Sequence, residues 1–364
     1  MKERVTQTDI ARAAGVHNTT VSLSLRNSRL IPPETRERIQ SIARALGYAP
    51  DPALRALAAY RNSRRQQRRT ETLVYLTRGD TRQGWRQSPV EEQYFTAAER
   101  RATELGFSFR HMWLGEPGMN PRRLDRMLTH EGIRCLLLAP HLAVGETLDA
   151  LDWSRLCAVR IGGSSLLAPD LNQVSSDAGA IVRLATRQVL LAGYQRVGLV
   201  LPRRADDLAD RAWSAAFSAE FYRRNLPAPP VLFLTDHPVE NSGLLASWHR
   251  QHRPEAVLSV SPVVRQLLRQ CGLEVPAAVA YVDLVLQDML GTIAGVQGHH
   301  ARIGELAVDL LAAQLEKNLF GLTPVPTITS VSGRWCDGAS LPVRTPADEQ
   351  PEPSAPLLAT NLVA

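Results

Sequence analysis

Long apolar runs are missing from this chain. None approaches the ~20 residues that a membrane span needs. The opening MKERVTQTDI lacks the apolar core of a signal peptide, so a cytoplasmic protein is expected. Cysteine is scarce: Cys135, Cys157, Cys271 and Cys336 stand far apart, with no CxxC and no Cys/His spacing for a metal. They read as reduced thiols, mostly buried as small core hydrophobes. Of 42 basic residues only Lys2 and Lys317 are lysines, a bias that genome composition explains as readily as function does. The motifs of catalysis are also lacking, since no GxSxG, P-loop, GxGxxG or HExxH appears. Gly162-Gly163-Ser164-Ser165 does not form a nucleophile elbow. No enzyme activity, cofactor or metal is expected.

What is present is an uneven charge. Residues 1–70 hold 14 Lys/Arg against 5 Asp/Glu, a local net of +9, whereas residues 71–364 sum to −3. A basic head on a mildly acidic body implies that the head alone meets a polyanion. At 364 residues the chain exceeds one ordinary core, so two or three packed units are expected.

From Val5 the head turns helical. Thr6 stands at the N-cap, and Asp9 takes the capping-box position three residues on. Ile10 and Ala14 share one face, and Gly15 supplies the left-handed turn that ends the helix. A second short helix is expected from Thr19 to Leu25, with Val21 and Leu25 inward. The residues that open it, His17, Asn18, Thr19, Thr20 and Ser22, are small or polar. Helix, tight turn and second helix make a helix-turn-helix, whose polar opening can reach base edges and phosphates. A third helix, about Pro33 to Leu46, packs through Ile39, Ile42, Ala43 and Leu46. Asp51 and Pro52 then predict one more helix over 51–58, marginal on its own, and the arginines between 61 and 69 form a basic tether.

The ordered elements VTQTDIARAAGV, TVS, TRER and LGYAPD resemble the DNA-binding head of the lactose/galactose repressor (LacI/GalR) family of transcription factors over about sixty residues. The resemblance implies that His17, Asn18 and Ser22 contact bases or phosphates. Thr6, Thr19, Thr20, Arg26 and Thr35 complete the candidate DNA-contacting set, and Leu57 takes the family's minor-groove lever. Two departures stand out: Leu23 occupies a position usually held by Arg, and Arg26 one usually held by Asn.

Beyond Thr72 short apolar runs alternate with amphipathic stretches. Strands are expected at 73–76, 107–114, 135–140, 157–163, 196–202, 230–234, 256–261 and 278–283, with helices such as 89–105, 178–192, 206–225 and 301–319. This βα spacing calls for parallel sheets covered on both faces. The fold class read from the residues is a small all-α helix-turn-helix head plus an α/β core of two lobes, and the resemblance implies that these lobes are periplasmic-binding-protein-like. The divisions are head 1–60, linker 61–71, effector and dimerisation core 72–342, and a Pro/Ala/Glu-rich disordered tail over 343–364. QVSSDAGAIV resembles the family's entry into the second lobe and GTIAGVQGHH its return.

By the same resemblance an effector lies in the cleft between lobes. Arg211 grips a sugar there, Asp283 ends its strand, Gln297 starts the return helix, and Ser261 replaces a family Asn or Asp. His299 stands nearby, and Trp85 and Tyr94 are stacking candidates or core. The expected function is a homodimeric regulator of a palindromic double-stranded DNA operator, answering to a sugar or sugar derivative. A core that answers to a partner protein is the alternative; no membrane role is expected. If Leu57 is the lever, Leu57→Ala weakens specific binding by a few kcal/mol, the scale of unstacking a base step, and leaves salt-dependent bulk binding intact. Operator titrations against random duplex measure both.

Overall fold

The computed structural model describes residues 5–28, 30–48, 71–140, 148–162, 170–227, 229–287 and 290–344. The expected hinge helix with Leu57, the basic tether, residues 163–169 and the tail beyond 344 lie outside the described residues.

Three helices form the head: α1 (Gln7–Ala14), α2 (Asn18–Leu25) and α3 (Pro33–Ala45). Ile10, Ala11, Ala14, Val21, Ile39 and Ala43 form its core, with Leu25 and Ile42 partly buried against it. Leu46 does not join the expected stripe. The helix ends at Ala45, and Leu46 is 40% exposed because it has passed the last inward turn.

The described residues divide into two compact units, one within Met1–Ser176 and His299–Val331, the other within Asp177–Gly298 and Ser332–Ala364. The first unit holds a sheet of strands β1 (Thr72–Thr77), β2 (Ser108–Trp113), β3 (Cys135–Leu138), β4 (Cys157–Ile161), β5 (Asn172–Ser176) and β11 (Ile328–Val331). Its order is β11-β5-β4-β3-β1-β2, all parallel. Helices α4 (Pro89–Glu104) and α11 (His300–Glu316) pack together on one face. They approach so closely at Gly304 that a Cβ there would stand 2.4 Å from the Tyr94 carbonyl oxygen. Helix α5 (Pro121–Glu131) packs against the other face, through Leu124 and Leu128. Trp85 and Tyr94 are core residues: Trp85 stacks on Phe95 at 4.0 Å, and Tyr94 meets the His300 ring edge-on.

The second unit repeats the plan with β6 (Val197–Pro202), β7 (Val231–Leu234), β8 (Ala256–Ser259), β9 (Ala280–Leu286), β10 (Ala294–Gln297) and β12 (Arg334–Cys336). The order is β12-β10-β9-β8-β6-β7, parallel except for β12. Helices α6 (Ala178–Leu191) and α8 (Ala212–Tyr222) cover one face; α9 (Pro238–His252) and α10 (Val263–Gln270) cover the other. In each unit the strand order reverses beside the first strand, a switch point whose carboxyl edge is where open α/β sheets take ligands. The helix expected over 206–225 is broken. A short α7 (Arg203–Leu208) precedes α8, separated by Asp210 and Arg211 in the left-handed region. Cys135 and Cys157 are buried, Cys271 and Cys336 half-buried, and no disulfide joins any of the four. Among the described residues no helix is long and apolar enough to cross a membrane.

His300 is 4% exposed, and neither ring nitrogen has a hydrogen-bond partner among the described residues. Burial, with a smaller push from His299, lowers its pKa from 6.5 to about 4. The unfolded chain therefore binds the proton first, so stability is complete above pH 6.5 and is lost as pH falls toward 4. The loss has a ceiling of about 3 kcal/mol for such a shift. Urea unfolding across that window should show it, and His300→Phe should flatten the dependence.

Candidate functional site

In the head, Thr6 closes a capping box. Its hydroxyl accepts from the Asp9 amide at 3.4 Å, and its own amide donates to the Asp9 carboxylate at 2.9 Å. Hydrogen bonds from Thr6 hold the Asp9 carboxyl below its ordinary pKa. Gly15, at φ 65°, turns the chain into α2. His17 is the N-cap of α2: the Thr19 amide donates to its Nδ1 at 3.3 Å, and the Thr19 hydroxyl lies 3.0 Å from the same nitrogen. With Nδ1 accepting, the ring carries its proton on Nε2, so the exposed imidazole presents a donor. A hydroxyl or carboxamide usually takes this position, which is why His17 reads from sequence as a contact alone.

Asn18 and Thr19 are exposed at the start of α2, and Thr20 and Ser22 are half-buried on the same helix. Val21 and Ser24 face inward, and Leu23 is half-buried. Arg26, just past the helix, donates to the Ser22 hydroxyl, so the two candidates form one unit. Gln40 ties α3 to this end through the Ser24 carbonyl and the Asn27 side chain, both at 2.8 Å. Thr35 is half-buried in the first turn of α3, apart from the α2 cluster in sequence. The result is an eight-residue helix with a capped start, an inner face of Val21 and Ser24, and a mainly polar outer one.

The four effector candidates all fall in the second unit, and no hydrogen bond or ion pair joins any two of them among the described residues. Arg211 is the N-cap of α8 at φ 57°, with its side chain 75% exposed and, among the described residues, paired only with Asp207 at 3.5 Å. Two successive left-handed residues without glycine, Asp210 and Arg211, cost on the order of 1–2 kcal/mol each. Ser261 follows β8, and its carbonyl accepts from the Tyr281 hydroxyl at 3.2 Å. Asp283 does not end its strand, because β9 runs on to Leu286; it pairs in register with Ser259, the last residue of β8. Its carboxylate accepts from the Val285 amide at 2.9 Å. Burial raises its pKa, while that hydrogen bond and the Arg265 charge oppose the rise. Gln297 does not start the return helix. It ends β10, a strand that the sequence reading missed, and α11 begins at His300 behind the exposed N-cap His299. Gly295 lets β10 lie against β9, since a Cβ would stand 2.1 Å from the Asp283 carbonyl oxygen. A concavity of about 180 Å³ in this unit is lined by Arg265, Arg269 and Glu274 among others, and none of the four candidates borders it.

Comparison with known proteins bears on both parts. Residues 6–51 match the family described as bacterial regulatory proteins, lacI family. The head belongs to the lacI family. Behind that lacI-family head the likeness continues at lower identity. The chain is 24% identical to the ribose operon repressor of Escherichia coli (strain K12) over 350 residues, covering 88% of this chain and 97% of that one. Two solved structures share the fold over 93% of this chain and 100% of theirs. They are a complex of the transcriptional regulator CelR with cellobiose (TM-score 0.60, 20% identity) and a lac repressor dimer bound to operator and an anti-inducer (TM-score 0.56, 16% identity). The architecture is thus a helix-turn-helix head followed by a two-lobed periplasmic-binding-protein-like α/β core.

Replacing His17 separates cap from contact. His17→Ala should remove about 1 kcal/mol of helix stability and speed hydrogen exchange at the Thr19 and Thr20 amides. His17→Asn should restore that protection without restoring operator affinity, because asparagine caps well but lacks the imidazole Nε2–H.

Proposed function

We propose that the protein is a transcriptional repressor that binds a palindromic DNA operator as a homodimer and is controlled by a sugar effector held in its second lobe. The observation that carries this reading is α2. It is a capped, two-turn helix in a lacI-family head, with Asn18 and Thr19 exposed at its start and hydroxyls and a guanidinium along its outer side. Side chains at the start of a recognition helix reach base edges in the major groove, and hydroxyls and helix-end amides reach phosphates. The charge division agrees, since the cationic surplus lies in residues 1–70.

Sugar control is supported by the similarity to a ribose operon repressor and to a cellobiose complex. It is also supported by Arg211, an exposed guanidinium whose planar fork suits vicinal hydroxyls, and by Ser261 and Asp283 near the carboxyl edge of the second sheet. The mechanism is a coupling free energy between effector and operator sites, on the order of 1–3 kcal/mol. The hinge expected over 51–58 lies outside the described residues, and a coupling of that size acting through it is part of this proposal. Arg211→Ala should leave operator affinity without sugar within about twofold, yet abolish the change in affinity that sugar produces. Operator titration with and without D-ribose and cellobiose reads this directly. A normal sugar response in the variant removes Arg211 from the site.

A further inference from the structure

The N-cap position of α8 is held by a residue that cannot cap. Arg211 has no side-chain acceptor, and no side chain at that position bonds to the helix amides. The amide of Ser214 in the first turn of α8 donates instead to Asp206 Oδ1 at 3.1 Å, and the Ser214 hydroxyl donates to Asp206 Oδ2 at 2.5 Å. The Asp206 carbonyl oxygen in turn accepts from the Arg211 amide at 2.8 Å and from Ala209 at 3.0 Å. Asp206 is 1% exposed, and among the described residues no cation lies within ion-pair distance of it. Its charge is answered by these donors and by the amino end of an eleven-residue helix.

We infer that Asp206 is a positioning residue for the effector site: it takes over the capping of α8 and braces the Asp210–Arg211 turn, so that the exposed Arg211 guanidinium, held at the surface only by an ion pair with Asp207 among the described residues, can turn to ligand. The inference rests on the reading of Arg211 as an effector contact. Capping by Arg211's own position would require a short acceptor there, and the site would lose its cation. Moving the cap five residues back in sequence, from Arg211 to Asp206 within α7, resolves that conflict. It also accounts for a left-handed pair without glycine. The turn is fixed from both sides by Asp206, with the side chain on Ser214 and the main chain on Arg211.

The test uses the full chain and has two arms. Hydrogen exchange at the Ser214 amide reads the turn without any ligand, and Asp206→Ala should speed it by about tenfold or more. Should that variant fail to fold, Asp206→Asn keeps an acceptor for Ser214 and should show a smaller increase. Calorimetry with D-ribose and cellobiose reads the site. Asp206→Ala should weaken binding about tenfold, and should add less than about twofold in an Arg211→Ala background, since it acts through Arg211. Asp210→Gly, which accepts the left-handed turn, should restore part of the affinity. Unchanged Ser214 exchange, or an equal loss whether or not Arg211 is present, overturns the inference. Failure of both sugars to bind the unaltered chain refutes the sugar reading of Arg211, while the exchange arm still decides the role of Asp206.

Discussion

A helix of two turns does not hold its shape in water unless something outside it supplies the missing stability. Helix α2 is such a helix, and the reading of this protein as a DNA-binding regulator depends on its being held. The hold comes from two sides. Val21 is buried in one apolar cluster with Ile10 and Ile39, and the His17 side chain accepts from the Thr19 amide. Because that cluster already anchors the helix, the outer face needs no apolar residue. Its polarity is therefore available for a groove in DNA.

The second unit solves a related problem with opposite means. At the start of α8 the cap has been displaced from the helix terminus to Asp206, and the terminus itself carries a guanidinium. In the head a ring that could serve as a contact also serves as the cap; in the lobe the two tasks fall to different residues. Both arrangements leave a donor exposed at the start of a helix, where main-chain amides already favour electron-rich partners.

Much of this was legible in the residues. Thr6, Asp9 and Gly15 mark a helix so strongly that α1 and its caps follow from spacing alone. The eight expected strands are all present, most of them short runs of apolar residues between polar ones, with β2 (SFRHMW) the polar exception. What escaped was polar or borrowed. β5 and β11, of sequence NQVSS and ITSV, carry too little apolar character to announce themselves, and they exist because a parallel neighbour pairs with them. Asp283 looked terminal because polar residues end strands and β8 stops opposite it, yet β9 continues past it paired with β10. The break before Arg211 was missed, since no glycine marks it, a lone Asp at 210 is only a weak signal of a left-handed turn, and the carboxylate that stabilises it lies four positions before Asp210.

The central claim is that α2 reads sequence rather than charge. Selection of duplexes from a random pool by the full chain, repeated as salt is raised, tests it most directly. The account predicts that a palindromic site emerges and holds a preference over random competitor on the order of 10³ or more as bulk affinity falls. It also predicts that Asn18→Ala relaxes the choice of base at one position in each half-site. Loss of all duplexes in parallel, with no site enriched, would contradict it.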